Sequence, residues 1–233
     1  MLPFAMDPLY WMLIGPAMLL ALWAQVRVSS AYARYSKTPN TTGLTGAQAA
    51  RIVLSDAGLD AVAIEERPGR LSDHYDPRTR TLRLSSEVFH GRSVAAIGIA
   101  AHEAGHAMQD ARGYFGLRLR AAMVPMASLG SFVAIPLIFL GAVLDAAGLI
   151  AIGLFAFAAI VAFQLVTLPV EFDASARAKR ALADSGVVRD EHEAAGVSRV
   201  LSAAALTYVA ATVAAVAELA YYVLLFSGRR DEA

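Results

Sequence analysis

Cysteine is absent from this 233-residue chain. Disulfides and thiolate metal sites are therefore excluded, and any metal must be held by His, Asp or Glu. Histidine is scarce as well: positions 74, 90, 102, 106 and 192 are the whole supply. Charge is thin. Charged residues make up 17% of the chain, below the roughly 25% of soluble domains, while 57% are hydrophobic. This balance points to a membrane protein. The 20 basic and 20 acidic residues cancel, so no basic surplus exists to bind nucleic acid, and no such partner is expected.

Long uncharged runs supply what the charged residues do not. The first extends over residues 3–26, with no charge from Pro8 to Val26 and with Trp11 and Trp23 near its ends, where interfacial anchors stand. No Lys or Arg precedes it and no small-residue cleavage site is evident, so it reads as a retained anchor rather than a removed signal peptide. Pro16 is expected to kink it. Residues 122–144 and 146–170 form a membrane hairpin turning at Asp145, and residues 201–226 form a fourth span containing Tyr208 and Glu218. The last of these, a carboxylate inside a span, either snorkels to an interface or pairs with another helix.

Between the spans lie two polar segments. Residues 27–121 carry 13 Lys and Arg and residues 170–200 carry 5, whereas the N-terminus and the Asp145 connection carry none and the tail has only Arg229 and Arg230. With four spans, the two basic segments share a side, and the positive-inside rule makes it cytoplasmic; the short 170–200 segment carries most of that argument. Arg27 to Lys37 reads as a helix leaving the membrane and fraying. Thr45 to Gln48 fits a capping box for a helix near 45–57, with Gly58 as its stop. Val62 and Ile64 alternate with small or polar neighbours, and Thr81 to Leu84 alternates again. Turn signals stand at Arg67-Pro-Gly-Arg70 and Asp76-Pro-Arg-Thr79. Two or three short strands are thus expected, and an exposed edge strand could hold an extended peptide by backbone hydrogen bonds. Ser85 or Ser86 caps a short turn, and Ser93 or its neighbour starts a helix ending near Gly113. Ser185-Gly186 breaks the second polar segment, and Asp190 to Glu193 resembles a second capping box.

The chemistry concentrates at His102-Glu103-Ala104-Gly105-His106. On a helix, positions i and i+4 share a face, so two neutral imidazoles at this spacing can hold one Zn²⁺. Glu103 stands about 100° round from His102, too far to be an equal ligand but within reach of a metal-activated water, where a general base belongs. The preceding apolar run, Val94 to Ala101, is too short to span a bilayer and suits a buried helix. A protease working within a membrane span is therefore disfavoured. A third ligand is needed on the same side of the membrane. Glu171, at the cytoplasmic end of the third span, is the best placed, and Asp173 is the alternative.

Longer stretches carry a resemblance. Asp7-Pro8, Gly43-Leu-Thr-Gly-Ala47, Leu71-Ser-Asp-His-Tyr-Asp-Pro-Arg78, Leu84-Ser85, Ala101-His-Glu-Ala-Gly-His-Ala107, Phe163-Gln-Leu-Val-Thr-Leu-Pro-Val-Glu-Phe172 and Leu201-Ser-Ala-Ala-Ala-Leu-Thr-Tyr-Val209 are similar to the YugP-like, membrane-bound neutral zinc metallopeptidases of bacteria over nearly the whole chain. The resemblance implies a multi-pass membrane zinc peptidase with His102, His106 and Glu171 as ligands and Glu103 as base. The HtpX and CAAX prenyl protease group is similar in placing membrane spans and a distant Glu after its zinc helix. Its Glu-x-x-Ala-Asp pattern is met only in part, because Ser175 stands where its Asp would, leaving Asp173 or Ser175 to orient a ligand histidine.

The expected fold is a mainly α membrane protein: a first anchor at 1–26, an α+β zincin-like cytoplasmic zinc domain at 27–121, a hairpin at 122–170, a cytoplasmic helical segment at 171–200, and a fourth helix with tail at 201–233. The expected activity is that of a gluzincin-like endopeptidase in the bacterial inner membrane, with one Zn²⁺ per chain and peptide or membrane-protein substrates. His74, Tyr75 and Arg177 are candidates for stabilising the transition-state oxyanion. His90 reads as a helix-end residue and His192 as a solvated one. The competing reading is a membrane scaffold or regulator with a structural zinc, whose fourth ligand would be Asp173 or His74.

Overall fold

A computed structural model describes residues 7–69 and 72–227. Residues 3–6 of the first apolar run, Arg70 of the expected turn, Leu71 and the tail with Arg229 and Arg230 lie outside the described residues. The elements run α1 (Pro8–Tyr35), α2 (Gly46–Asp56), β1 (Ala63–Arg67), β2 (His74–Asp76), β3 (Thr81–Ser85), α3 (Ser86–Phe89), α4 (Val94–Ala111), α5 (Phe115–Val143), α6 (Ala147–Asp184) and α7 (Glu191–Ser227). The protein is mostly helical, and α1, α5, α6 and α7 are each long and apolar enough to cross a membrane.

The chain forms two compact units. One takes in residues up to Ala24, Leu119–Leu168 and from Thr207 onward; the other comprises Gln25–Arg118 and Pro169–Leu206. In the first unit, the hairpin of α5 and α6 packs through glycines, as membrane helices do when small residues let backbones approach. A Cβ on Gly130 would lie 2.7 Å from the Ala156 carbonyl oxygen, and one on Gly153 would lie 2.9 Å from that of Ala134. The turn is made by Asp145 at φ +50°. Phe132 and Phe155 are among the large apolar side chains left exposed, which suits a hydrocarbon surrounding. Glu218 accepts a hydrogen bond from the Tyr222 hydroxyl on its own helix at 3.4 Å.

The second unit is built around α4. Val94 to Gly98 and Ala100 to Ala101 are buried, as the short apolar run implied, and they pack with Val53 and Leu54 of α2, Leu82 and Leu84 of β3, and Val197 and Leu201 of α7. The Thr45 hydroxyl and the Gln48 side chain form the expected capping box at the start of α2. In the sheet, β3 is central. It runs parallel to β1, with Ala63 opposite Thr81, and antiparallel to β2, with Tyr75 opposite Leu82. Arg83 reaches Asp76 and Glu65 on either side, and its bond to Asp76 holds that carboxyl down at about 2.

Several expectations need correction. His74 and Tyr75, named only as oxyanion candidates, lie in β2, an edge strand. Residues 27–35 do not fray. They continue α1 because Tyr35 is buried in the second unit's core and its hydroxyl accepts a bond from Arg199 at 2.9 Å. The helical segment expected after residue 170 is continuous with the third apolar run, α6 passing unbroken through Pro169 to Asp184. Ser85 stands at the N-cap of α3 but makes no side-chain capping bond; its N–H and hydroxyl go to Asp73. The second capping box is half formed. Asp190 accepts from the Glu193 N–H, but the Glu193 carboxylate turns away to Thr41, accepting from its N–H at 3.1 Å and its hydroxyl at 2.9 Å.

Candidate metal centre

The centre lies wholly within the second unit. Ser93 caps α4, its hydroxyl accepting from the Ala96 N–H, and the helix then carries His102 and His106 one turn apart with ring centroids 4.9 Å from each other. Glu171 arrives on α6. One of its carboxylate oxygens lies 3.2 Å from His102 Nε2 and the other 3.7 Å from His106 Nε2. The approach is close because residue 105 has no side chain. A Cβ there would lie 2.5 Å from the Ala174 carbonyl oxygen, so α4 and α6 meet backbone to backbone.

Each imidazole is gripped by its other nitrogen. Ser175 Oγ lies 3.1 Å from His102 Nδ1, and Gln109 Oε1 lies 2.9 Å from His106 Nδ1. Gln109 Nε2 donates to the Val170 carbonyl and to Asp173, both at 2.8 Å, and Arg177 donates to the same Asp173 oxygen. Burial pushes the Asp173 carboxyl up, but the bonds from Arg177 and Gln109 outweigh it and hold the group below the usual carboxylate range. Glu171 behaves alike: burial raises it, and the two histidines more than compensate, leaving it well below the usual range. For His106, burial disfavours the cation, while the Glu171 bond and the Glu103 charge prevail and raise its proton affinity. Without metal, the cluster thus attracts positive charge to the point where the Nε2 atoms and the carboxylate converge.

This donor set fits a zinc ion. His102, His106 and Glu171 each offer one ligand atom, all within 4.8 Å of one another. The 3.2 and 3.7 Å separations bracket the edge of a zinc tetrahedron, roughly 3.4 Å for bonds of about 2.1 Å. Among the described residues, no further His, Asp or Glu joins this group.

The other candidates stand elsewhere. His74 Nδ1 contacts the Ser72 carbonyl at 2.8 Å and its Nε2 contacts Arg67 at 3.3 Å. The Tyr75 hydroxyl donates to Asp110 on α4 at 2.8 Å, and burial followed by that carboxylate pushes the phenol well up. Arg177, besides holding Asp173, lies 6.0 Å from the Tyr114 ring. His90 pairs with Glu66 at 3.1 Å. Sequence reasoning gave no role to Gln109. Its one local signal was its position three residues after His106, which places both on one helix face.

A family model described as "putative neutral zinc metallopeptidase" matches residues 10–227. The Bacillus subtilis protein named "putative membrane protease YugP" is 48% identical over 214 residues, covering 91% of this chain and 94% of that protein. No solved structure matches the chain significantly. The family match runs through both units and takes in His102, His106 and Glu171, and on that match the chain belongs to the neutral zinc metallopeptidase family.

Proposed function

We propose that this chain is a membrane-bound, gluzincin-like zinc endopeptidase acting on peptide bonds at the cytoplasmic face of the bacterial inner membrane. The observation that carries this reading is the convergence of two imidazole Nε2 atoms and the Glu171 carboxylate on one point, with Glu103 beside His102 on the same helix. Zinc held there supplies Lewis-acid polarisation of a carbonyl and makes a water easier to deprotonate. Glu103 takes the proton from the attacking water and hands it to the leaving amine nitrogen. Ser175 orients the His102 ring. An extended substrate can pair its backbone with the open side of β2, whose Tyr75 is bonded to Asp110 of α4. A closed structural zinc would require four protein ligands, and three are gathered here. Cytoplasmic placement is supported by the five basic residues of the short 170–200 segment.

Zinc stoichiometry tests the centre. Wild-type protein is expected to hold one zinc per chain, and Glu171→Ala and Glu171→Gln to lose most of it. Full retention in both would remove Glu171 from the ligand set and overturn the gluzincin reading. Sidedness has its own test, made clean by the absence of native cysteine. A cysteine introduced at the exposed Lys179 is expected to react with a membrane-impermeant maleimide in inverted vesicles and not in intact spheroplasts. The reverse pattern would place the centre outside the cell.

A further inference from the structure

We infer that Gln109 is a positioning residue that decides which nitrogen of His106 is left for the metal. The inference rests on the zinc reading above and adds a determinant to it. Gln109 is completely buried, so it cannot touch a substrate. Its amide nitrogen faces the Val170 carbonyl and the Asp173 carboxylate, two groups that only accept hydrogen bonds. Both amide protons are therefore used, and the flipped amide, with its oxygen against two acceptors, is excluded. What faces His106 Nδ1 at 2.9 Å is then an amide oxygen, which also only accepts. The Glu171 carboxylate also accepts but stands farther off, 3.7 Å from Nε2, so the single proton of the neutral imidazole sits on Nδ1 and Nε2 keeps its lone pair for a metal.

The sense of this relay is fixed at its far end by Arg177, which can only donate and which holds Asp173 as an acceptor. His102 is held differently. The Ser175 hydroxyl against its Nδ1 can donate or accept, so it orients that ring without assigning its proton. The two ligand histidines are thus unequally prepared. The neutral form of His106 is set in the metal-binding tautomer through Gln109, by partners 61 and 64 residues further along the chain.

The test uses the full chain in detergent, with Zn²⁺ titrated against a competing chelator. Gln109→Leu is expected to weaken zinc binding about 10- to 100-fold while leaving one site per chain. Gln109→Glu keeps the acceptor for His106 but sets a carboxylate against Asp173, so it should weaken binding as well. Adding Asp173→Asn restores a donor to that contact, and the double variant should recover most of the lost affinity. Nitrogen NMR of the zinc-free protein in alkaline buffer reads the tautomer directly: the proton on His106 Nδ1 in wild type, and shared with Nε2 in Gln109→Leu. Wild-type affinity within about threefold in Gln109→Leu, well short of the loss expected for an orienting partner, or no recovery in the double variant, overturns the inference while leaving the zinc centre standing. Should Gln109→Leu not fold, the Gln109→Glu variant, alone and combined with Asp173→Asn, decides. A wild-type protein that binds no zinc would instead sink the peptidase reading itself.

Discussion

A Glu103→Gln variant will hold zinc as the wild type does and hydrolyse protein on the order of 10³-fold more slowly, within the range assigned to a positioned acid–base group. Glu103 is buried and lies outside the three-ligand set, so the isosteric amide leaves the metal donors untouched. Its carboxylate nonetheless acts on the centre, since its charge is one of the causes that raise the proton affinity of His106. Glutamine keeps the shape and the hydrogen-bonding reach of the side chain and gives up proton transfer. Casein cleavage by the detergent-purified protein, measured beside zinc content, checks both halves. Unchanged cleavage at full zinc occupancy would remove Glu103 as the base, and lost zinc would show that it supports the ligands instead.

A Gly105→Ala variant is expected to lose zinc although residue 105 offers no ligand. The added methyl carbon would lie 2.5 Å from the Ala174 carbonyl oxygen, 3.1 Å from its carbon and 3.2 Å from its Cα. All three are helix backbone, with no flexible side chain to give way, so α4 and α6 must part. Glu171 is one turn before Ala174 and Ser175 is next to it, so the displacement reaches the third ligand and the His102 contact together. We expect a stability loss of about 1–3 kcal/mol and a fall in zinc affinity of at least about tenfold, comparable to losing a group that orients a ligand. Gly98 on the same helix is the control. A Cβ there meets Val197 at 3.4 Å, an ordinary contact, and Gly98→Ala should keep zinc and gain up to about 1 kcal/mol of helix propensity. Thermal melting and chelator competition on both variants settle the comparison, and wild-type zinc affinity in Gly105→Ala would refute it.

What the sequence made legible follows the reach of local geometry. Two histidines four apart share a helix face wherever the helix lies, and the Thr45 capping box needs only Gln48. Periodicity could not show how far a helix continues once a second unit holds it: α1 persists to Tyr35 through contacts with α7 and the core. Nor could it show β2, since His74-Tyr75-Asp76 has no apolar alternation and becomes a strand by pairing with β3. Glu171 could be proposed because a span ends there, but Gln109 had no visible purpose until α6 brought Val170 and Asp173 beside it. Glu193 was legible only as a capping residue, while its partner Thr41 stands 152 positions away. The hidden part is thus the pairing of groups distant in sequence.

The boundaries between the two units carry a practical consequence. They fall after Ala24, Arg118, Leu168 and Leu206, and each of these positions lies inside a helix: α1, α5, α6 and α7 in turn. No loop marks a place to cut. A fragment ending at Arg118 would keep the histidine pair and Gln109 but leave Glu171, Asp173 and Ser175 behind. One extended far enough to recover them would include the whole apolar hairpin. Truncation cannot yield a piece that keeps the whole centre and lacks the apolar helices, and biochemistry on the centre must be done with the intact chain in detergent or lipid.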